Sequence, residues 1–307
     1  MLNDVQKHIL EVVSGMAAGA DGAVNIRADG KKAYRSNSAN VRIESKTDKE
    51  GIDIFVAPHT VSDHVYIPVV ITEEGFHDTV YNDFFIGEGA VVTINAGCGI
   101  HNCSGCDSEH QGIHTFHVGK NAQVTYSEIH YGEGEGEGKR ILNPQTILYL
   151  EEGAKVTLET TQIRGVDDTK RYTKAVLNGD NADFVVQEKL LTHGNQRAES
   201  EMDVVLNGRN SRTQVISRSV AQDYSTQVFY PRVEGNNACF GHVQCDSIIM
   251  GSAKVRSIPE ISCNHVDASL IHEAAIGKIA GDQILKLQTL GLSHDEAEEK
   301  ILEGFLR

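Results

Sequence analysis

Gly87-Glu-Gly-Ala-Val-Val-Thr93, Gly119-Lys-Asn-Ala-Gln-Val-Thr125 and Glu151-Glu-Gly-Ala-Lys-Val-Thr157 are three copies of one phrase, each starting 32 residues after the last. Gly179-Asp-Asn-Ala-Asp-Phe-Val185 and Gly208-Arg-Asn-Ser-Arg-Thr-Gln214 continue it at steps of 28 and 29, and Met250-Gly-Ser-Ala-Lys-Val-Arg256 echoes it. Each copy is a turn whose Gly or Asn accepts positive φ, then a small residue, then the start of an alternating strand. A period of this length marks a solenoid. The unit holds strands and no helical stretch, which excludes α-solenoids and leucine-rich horseshoes. Propeller blades run to about 40 residues or more with aromatic signatures, and this chain has no Trp. A parallel β-helix fits best, because each coil pairs with the coils above and below and tolerates a ragged repeat.

Outward from the repeat, the pattern changes at both ends. Residues 2–16 place Leu2, Val5, Ile9, Val12 and Met16 at helical spacing, which predicts one amphipathic helix serving as a lid or end-cap. Short β-type runs fill Val24 to Ile71, broken at Asp29-Gly30 and Glu50-Gly51. At the other end, Ile276, Ile279, Ile284 and Leu287 predict a helix over 272–290 that opens at His272-Glu273 and stops at Gly291. Ser293-His-Asp-Glu296 is a capping box for a second helix, with Ala297, Ile301 and Phe305 inward. The expected organisation is 1–80 for the N-terminal helix and leading β region, 81–268 for the β-helix core, and 269–307 for a C-terminal helical segment.

At 307 residues the chain can bury a substantial core. Its 28 basic and 43 acidic residues, net −15, argue against nucleic acid and against anionic membrane. No apolar run reaches membrane-spanning length and no leader precedes the first helix, so the expected compartment is the cytoplasm. Six Cys then read as reduced thiols available for metal or redox chemistry.

Two constellations could carry chemistry. Cys245 lies beside Asp246-Ser247 in a β context, with Cys239 and Cys263 near in sequence, and His272-Glu273 follows at the junction with the helices. A buried structural thiol is the plain alternative for Cys245. The second is Cys98-x4-Cys103-x2-Cys106-x3-His110-x3-His114-x2-His117, whose thiolate and imidazole donors suit zinc or iron. It is one crowded run, where a closed zinc site has two close pairs separated by a longer loop. His114 and His117 fall on opposite faces of a strand, so at most one joins a shared site. Gly132-Glu-Gly-Glu-Gly-Glu-Gly138 reads as a flexible, solvated loop. There is no P-loop and no nucleophile elbow, and Asp167-Asp168, the one adjacent Asp pair, points to both faces of a strand. A carbohydrate-cleaving β-helix therefore finds no support.

The block Gly241–Phe305, with its Gln-Cys-Asp-Ser and Ile-His-Glu-Ala-Ala-Ile-Gly-Lys-Ile runs, resembles the C-terminal core of the SufB/SufD scaffold family of iron–sulfur cluster assembly. The likeness continues more weakly from about residue 80, through Thr192-His-Gly and Gly235-Asn-Asn. The resemblance implies a right-handed parallel β-helix, and a C-terminal helical segment that docks an ABC-type ATPase, SufC. It also implies pairing of protomers through the β-helix, a sulfur donor, and a transient iron–sulfur cluster. It places the cluster-building Cys on Cys245, the Glu of His-Glu-Ala on Glu273, and an interfacial His on His272. The chain is shorter than typical SufB or SufD and carries Cys, His and Glu together. It therefore resembles a single-scaffold form, expected as a homodimer with two ATPase subunits and no nucleotide site of its own, not an enzyme by itself. The second reading is a β-helix zinc- or iron-binding protein using Cys98, Cys103, Cys106, His110 and His114.

Overall fold

The computed structural model describes residues 2–15 and 21–306. Helix α1 (Asp4–Ser14) precedes β1 (Ala23–Ala28), β2 (Lys31–Ser36), β3 (Val41–Ser45), β4 (Gly51–Val56), β5 (Asp63–Ile71), β6 (His77–Ile86) and β7 (Val91–His101). The middle of the chain forms β8 (Ser108–Val118), β9 (Gln123–Glu133), β10 (Arg140–Leu142), β11 (Gln145–Leu150), β12 (Lys155–Arg164), β13 (Asp168–Leu177) and β14 (Asp183–Thr192). Then follow β15 (Arg197–Leu206), β16 (Arg212–Ala221), β17 (Thr226–Gly235), β18 (Phe240–Ile249), β19 (Lys254–Ser257), β20 (Glu260–Cys263) and β21 (Ser269–Gly277). Helices α2 (Gly281–Thr289) and α3 (His294–Phe305) close the chain.

From β5 onward the chain passes back and forth between two sheets, with β10/β11 and β19/β20 each acting as one interrupted strand, giving a β-solenoid of about eight turns. One sheet runs β2-β1-β5-β7-β9-β12-β14-β16-β18-β21 and the other β19-β17-β15-β13-β10-β8-β6-β4-β3. All pairings are parallel except the leading pairs β1–β2 and β3–β4. The repeat spacing is the coil length, since Val91 pairs with Gln123, Gln123 with Lys155, Lys155 with Asp183 and Asp183 with Arg212.

The phrase is explained residue by residue. Its third position is Gly89, Asn121, Gly153, Asn181 or Asn210, and each has φ between 55° and 66°. Its fourth, Ala90, Ala122, Ala154, Ala182 or Ser211, is fully buried at the corner, where a larger side chain has no room. Cys239 holds the same corner one coil later, immediately before β18. The Met250 echo lies at the opposite corner, because it leads into β19 of the other sheet.

Within the strands alternate residues point into the solenoid, and Phe84, Phe116, Tyr126 and Phe184 fill it without exposure. His114 faces inward and His117 outward, as the spacing requires. His117 joins an outer ladder with Phe55, Phe85 and Tyr149, stacked at 5.0, 5.1 and 5.7 Å.

The two ends depart from expectation in detail. Helix α1 packs through Gln6, Ile9, Leu10 and Val13, while Val5 is exposed and Met16 lies outside the described residues. The seat is the outer face of β7, where a Cβ on Gly99 would overlap Ile9 Cγ2. At the C-terminus, 269–277 is strand, not the start of a helix. Its Ala and Glu favour helix, but nine residues of parallel pairing with β18 prevail over local propensity. The helical part begins at Gly281, and the Ser293–Glu296 capping box forms as read. Ala297 of α3 is fully buried, whereas Ile276, Leu285 and Leu290 are exposed. Among the described residues no helix is long and apolar enough to cross a membrane.

Filling the seat of α1 should release it. Gly99→Leu is expected to make residues 2–15 sensitive to limited proteolysis and to cost about 1–3 kcal/mol in denaturant unfolding. Gly105→Ala, where a Cβ meets nothing within 4 Å, should change neither.

Candidate functional site

Cys245 sits on β18 in the inward phase with Gly241 and Val243, and it is buried at 3% exposure. The parallel register sets Val243 beside His272, so His272 on β21 also turns inward, one coil later. Cys245 Sγ and His272 Nε2 are 3.2 Å apart. Glu273 sits in register with outward-facing Gln244 and pairs with His242 at 3.3 Å on the outer surface. The three expected residues therefore divide. Cys245 and His272 meet inside the last coil, and Glu273 faces away. They divide because adjacent strand residues alternate, not because of helical geometry.

Burial pushes the Cys245 thiol up to about 11, the Glu188 and Asp246 carboxylates add to this, and the Ser257 hydroxyl opposes it. Burial, with nearby His242, lowers His272 below its ordinary value. At neutral pH the pair is a thiol beside a neutral imidazole, and binding a metal must displace the thiol proton.

Below this pair the interior turns polar. Glu188 accepts from Ser217 at 2.8 Å, Ser200 at 2.9 Å and Arg171 at 3.1 Å, and Ser217 pairs with Cys245 across the strands. Arg171 also reaches Thr160 at 2.8 Å and His130 Nδ1 at 3.0 Å. Arginine only donates, so His130 Nδ1 accepts and its Nε2–H donates to Glu128 at 3.3 Å. Sequence reasoning missed this chain of buried polar groups. Its signal was available on β9, where Glu128 and His130 continue the inward phase of Val124 and Tyr126.

The run from Cys98 to His117 does not converge. Cys98, His110 and His114 turn inward, where with Glu128 and His130 they line a cavity of about 20 Å³, room for one water. Cys103 and Cys106 are exposed on the loop between β7 and β8, and His117 is outside. Among the described residues no group of three or more His, Cys, Asp or Glu is arranged to hold a metal. The crowded spacing crosses a strand, a corner and a second strand, which sends its members to three places.

A family model described as "SUF system FeS cluster assembly, SufBD core domain" matches residues 70–305. An iron-sulfur cluster assembly SufBD family protein of Archaeoglobus fulgidus is 30% identical over 228 residues, covering 74% of this chain and 60% of the relative. One from Methanocaldococcus jannaschii is 27% identical over 237 residues, 77% of this chain and 74% of the relative. One from Pyrococcus horikoshii is 26% identical over 286 residues, 90% and 85% of the two chains. The chain thus spans under two thirds of the Archaeoglobus relative and most of the other two.

The buried histidines give the interior a pH signature. Burial, reinforced by His110 and His130 and opposed by Glu128, lowers His114 to about 4. Between the ordinary 6.5 and about 4, the unfolded chain binds a proton that the folded one refuses, so stability falls as pH falls through that window. Denaturant unfolding should lose about 2.5 kcal/mol from this residue between pH 7.5 and 4.5. His114→Gln should start weaker at pH 7.5 but fall less. An unchanged pH slope would remove His114 as the cause.

Proposed function

We propose, from the premise that this chain belongs to the SufBD core family of iron–sulfur cluster assembly, that it is the scaffold on which a nascent cluster is built, with Cys245 and His272 as first ligands. The observation that carries this reading is the 3.2 Å thiol–imidazole pair at the end coil of the solenoid. Thiolate and neutral imidazole both suit iron, and the thiol gives up its proton to solvent as iron arrives, which leaves the His272 Nε2 lone pair for the metal. The cluster is cargo, not a resident cofactor. The chain acts as an assembly protein without its own nucleotide site.

The partners follow from what this end leaves open. Among the described residues strand β21 pairs only with β18, and no strand lies on its other edge. Ile271 and Ile276 on β21, Ile261 on β20 and Val266 between them are exposed. A bare edge with apolar side chains is a template for a second strand, and we assign it to a second copy of this chain. Glu273, facing outward, would then donate across that interface and not within one protomer. Helices α2 and α3, with Leu285 on α2 and Leu290 at its C-terminal end exposed, dock the ABC-type ATPase SufC. ATP binding by the paired ATPases would part the edge strands and expose Cys245.

The zinc- or iron-binding alternative loses its structural basis, because its five residues lie partly inside the solenoid and partly outside. Anaerobic reconstitution with iron, sulfide and the ATPase separates the two. Cys245→Ala should leave under about a tenth of the wild-type cluster absorption, His272→Ala should weaken it, and a Cys103/Cys106 double Ala variant should retain it with sulfide as the source. Loss with the double variant and retention with Cys245→Ala would reverse the assignment. Alkylation of Cys245 should be slow at neutral pH and accelerate with ATP and ATPase; an unchanged rate would sink the opening step.

A further inference from the structure

A cavity of about 260 Å³ opens at the N-terminal mouth of the solenoid, where the β1–β2 and β3–β4 hairpins lead the two sheets. Arg27, Lys32, Arg35, Lys46 and Lys49 line it, and among the described residues Glu50 is the one acid of the lining. That balance reverses the charge of the whole chain, which carries 28 basic and 43 acidic residues. The floor is apolar, made by Ile52, Ile67, Val69 and Val80, all buried in the solenoid.

Counter-charges divide the five cations into two groups. Arg27 is forked onto Asp78 at 3.0 and 3.1 Å and reaches Glu50 at 3.4 Å. Lys46 is held by Asp53 and Asp83. Arg35, Lys32 and Lys49 have no carboxylate partner among the described residues. Arg35 crosses the mouth from β2, donating to Asn25 Oδ1 on β1 at 2.8 Å and to Ser45 Oγ on β3 at 2.9 Å. Both acceptors are neutral, and a guanidinium has further N–H groups to give. Burial lowers Arg35 below its ordinary value, because solvent is withdrawn from the charge and no anion stands in for it. Lys49 Nζ lies 4.4 Å from the centre of the Tyr81 ring, a contact that holds the ammonium without neutralising it.

A cationic rim over an apolar floor suits an anion with a hydrocarbon part. Phosphate matches the guanidinium fork. At about −1.5 to −2 charge, a phosphate monoester also answers the three uncompensated cations better than a single carboxylate does. The cavity is smaller than the roughly 300 Å³ at which pockets for drug-sized ligands begin, which limits the organic part to one small ring or a short chain. A long polyanion is disfavoured by the net charge of −15.

We propose that this mouth is a binding site for a small phosphate monoester, with Arg35 taking the phosphate and Lys32 and Lys49 completing its charge. The site stands apart from the cluster-scaffold reading. Its five cations precede residue 70, where the match to the family core begins, and it asks nothing of Cys245 or His272.

The test is calorimetric titration of the full-length chain with phenyl phosphate, inorganic phosphate and benzoate as probes. Phenyl phosphate should bind at one site per chain, about tenfold more tightly than inorganic phosphate, which lacks the ring, or benzoate, which lacks the second charge. Arg35→Gln should weaken it about tenfold or more, with Arg35→Lys recovering only part of the loss. Lys155→Gln, at an exposed position opening β12, should change nothing. Because Arg35 ties two hairpins together, the double variant Lys32→Gln with Lys49→Gln tests the same site at two exposed positions. It should lose about tenfold in affinity with an unchanged unfolding midpoint. Absence of saturable binding at millimolar phenyl phosphate, equal affinity for benzoate, or binding unmoved by the double variant would each overturn the proposal.

Discussion

Stacking of coils in register is the constraint on which everything else depends. Every inward residue lies on the inward residues of the coils before and after it, at the spacing of adjacent strands. An apolar position therefore builds a column, as Phe84 and Phe116 do at 4.1 Å. A polar inward position is shielded from solvent and depends on a partner one coil away or one strand across. Glu188 shows the demand fully met, by Ser217, Ser200 and Arg171 from three other strands. Removing any one of these leaves charge or hydroxyl stranded in the interior, so the network holds together as a unit.

The same constraint explains how far the sequence could be read. The repeat was legible because the corner geometry admits few residues: positive φ at the third position and a fully buried small residue at the fourth. The inward and outward phases of His114 and His117 were legible by alternation alone. The strand at 269–277 was not, since its Ala, Glu and Ile match helical spacing and only the partner strand β18 decides otherwise. The role of Gly132–Gly138 was hidden for a related reason. Alternating glycine reads as freedom until the opposing loop, some thirty residues earlier in the chain, is seen to lie against it. Pairing between coils is a non-local fact, and composition within one segment carries no trace of it.

Of the candidate residues, Cys245 and His272 were named from a motif, yet their contact is a product of register. A shift of one residue between β18 and β21 would turn His272 outward and bring Glu273 to the thiol. The register is fixed by Ala268 and Leu270, which pack onto the core with Cys239 and Val243. The ordinary apolar residues at the corner thus decide which donor the thiol meets. The Cys98–His117 run shows the converse, in which ligand-like spacing is dispersed because the chain crosses between sheets within it.

The two thiols stand in different settings. Cys245 is buried and protonated beside a neutral imidazole, a state inert to solvent electrophiles until the end strand moves. Cys103 is exposed, with its Sγ 3.1 Å from His101 Nε2. Position in the solenoid supports the division. Cys103 lies on a corner whose backbone is hydrogen-bonded to the Glu133–Gly138 segment of the next coil. Cys245 lies against a strand that, among the described residues, is paired on one side only, and edges of a stack are where local opening costs least.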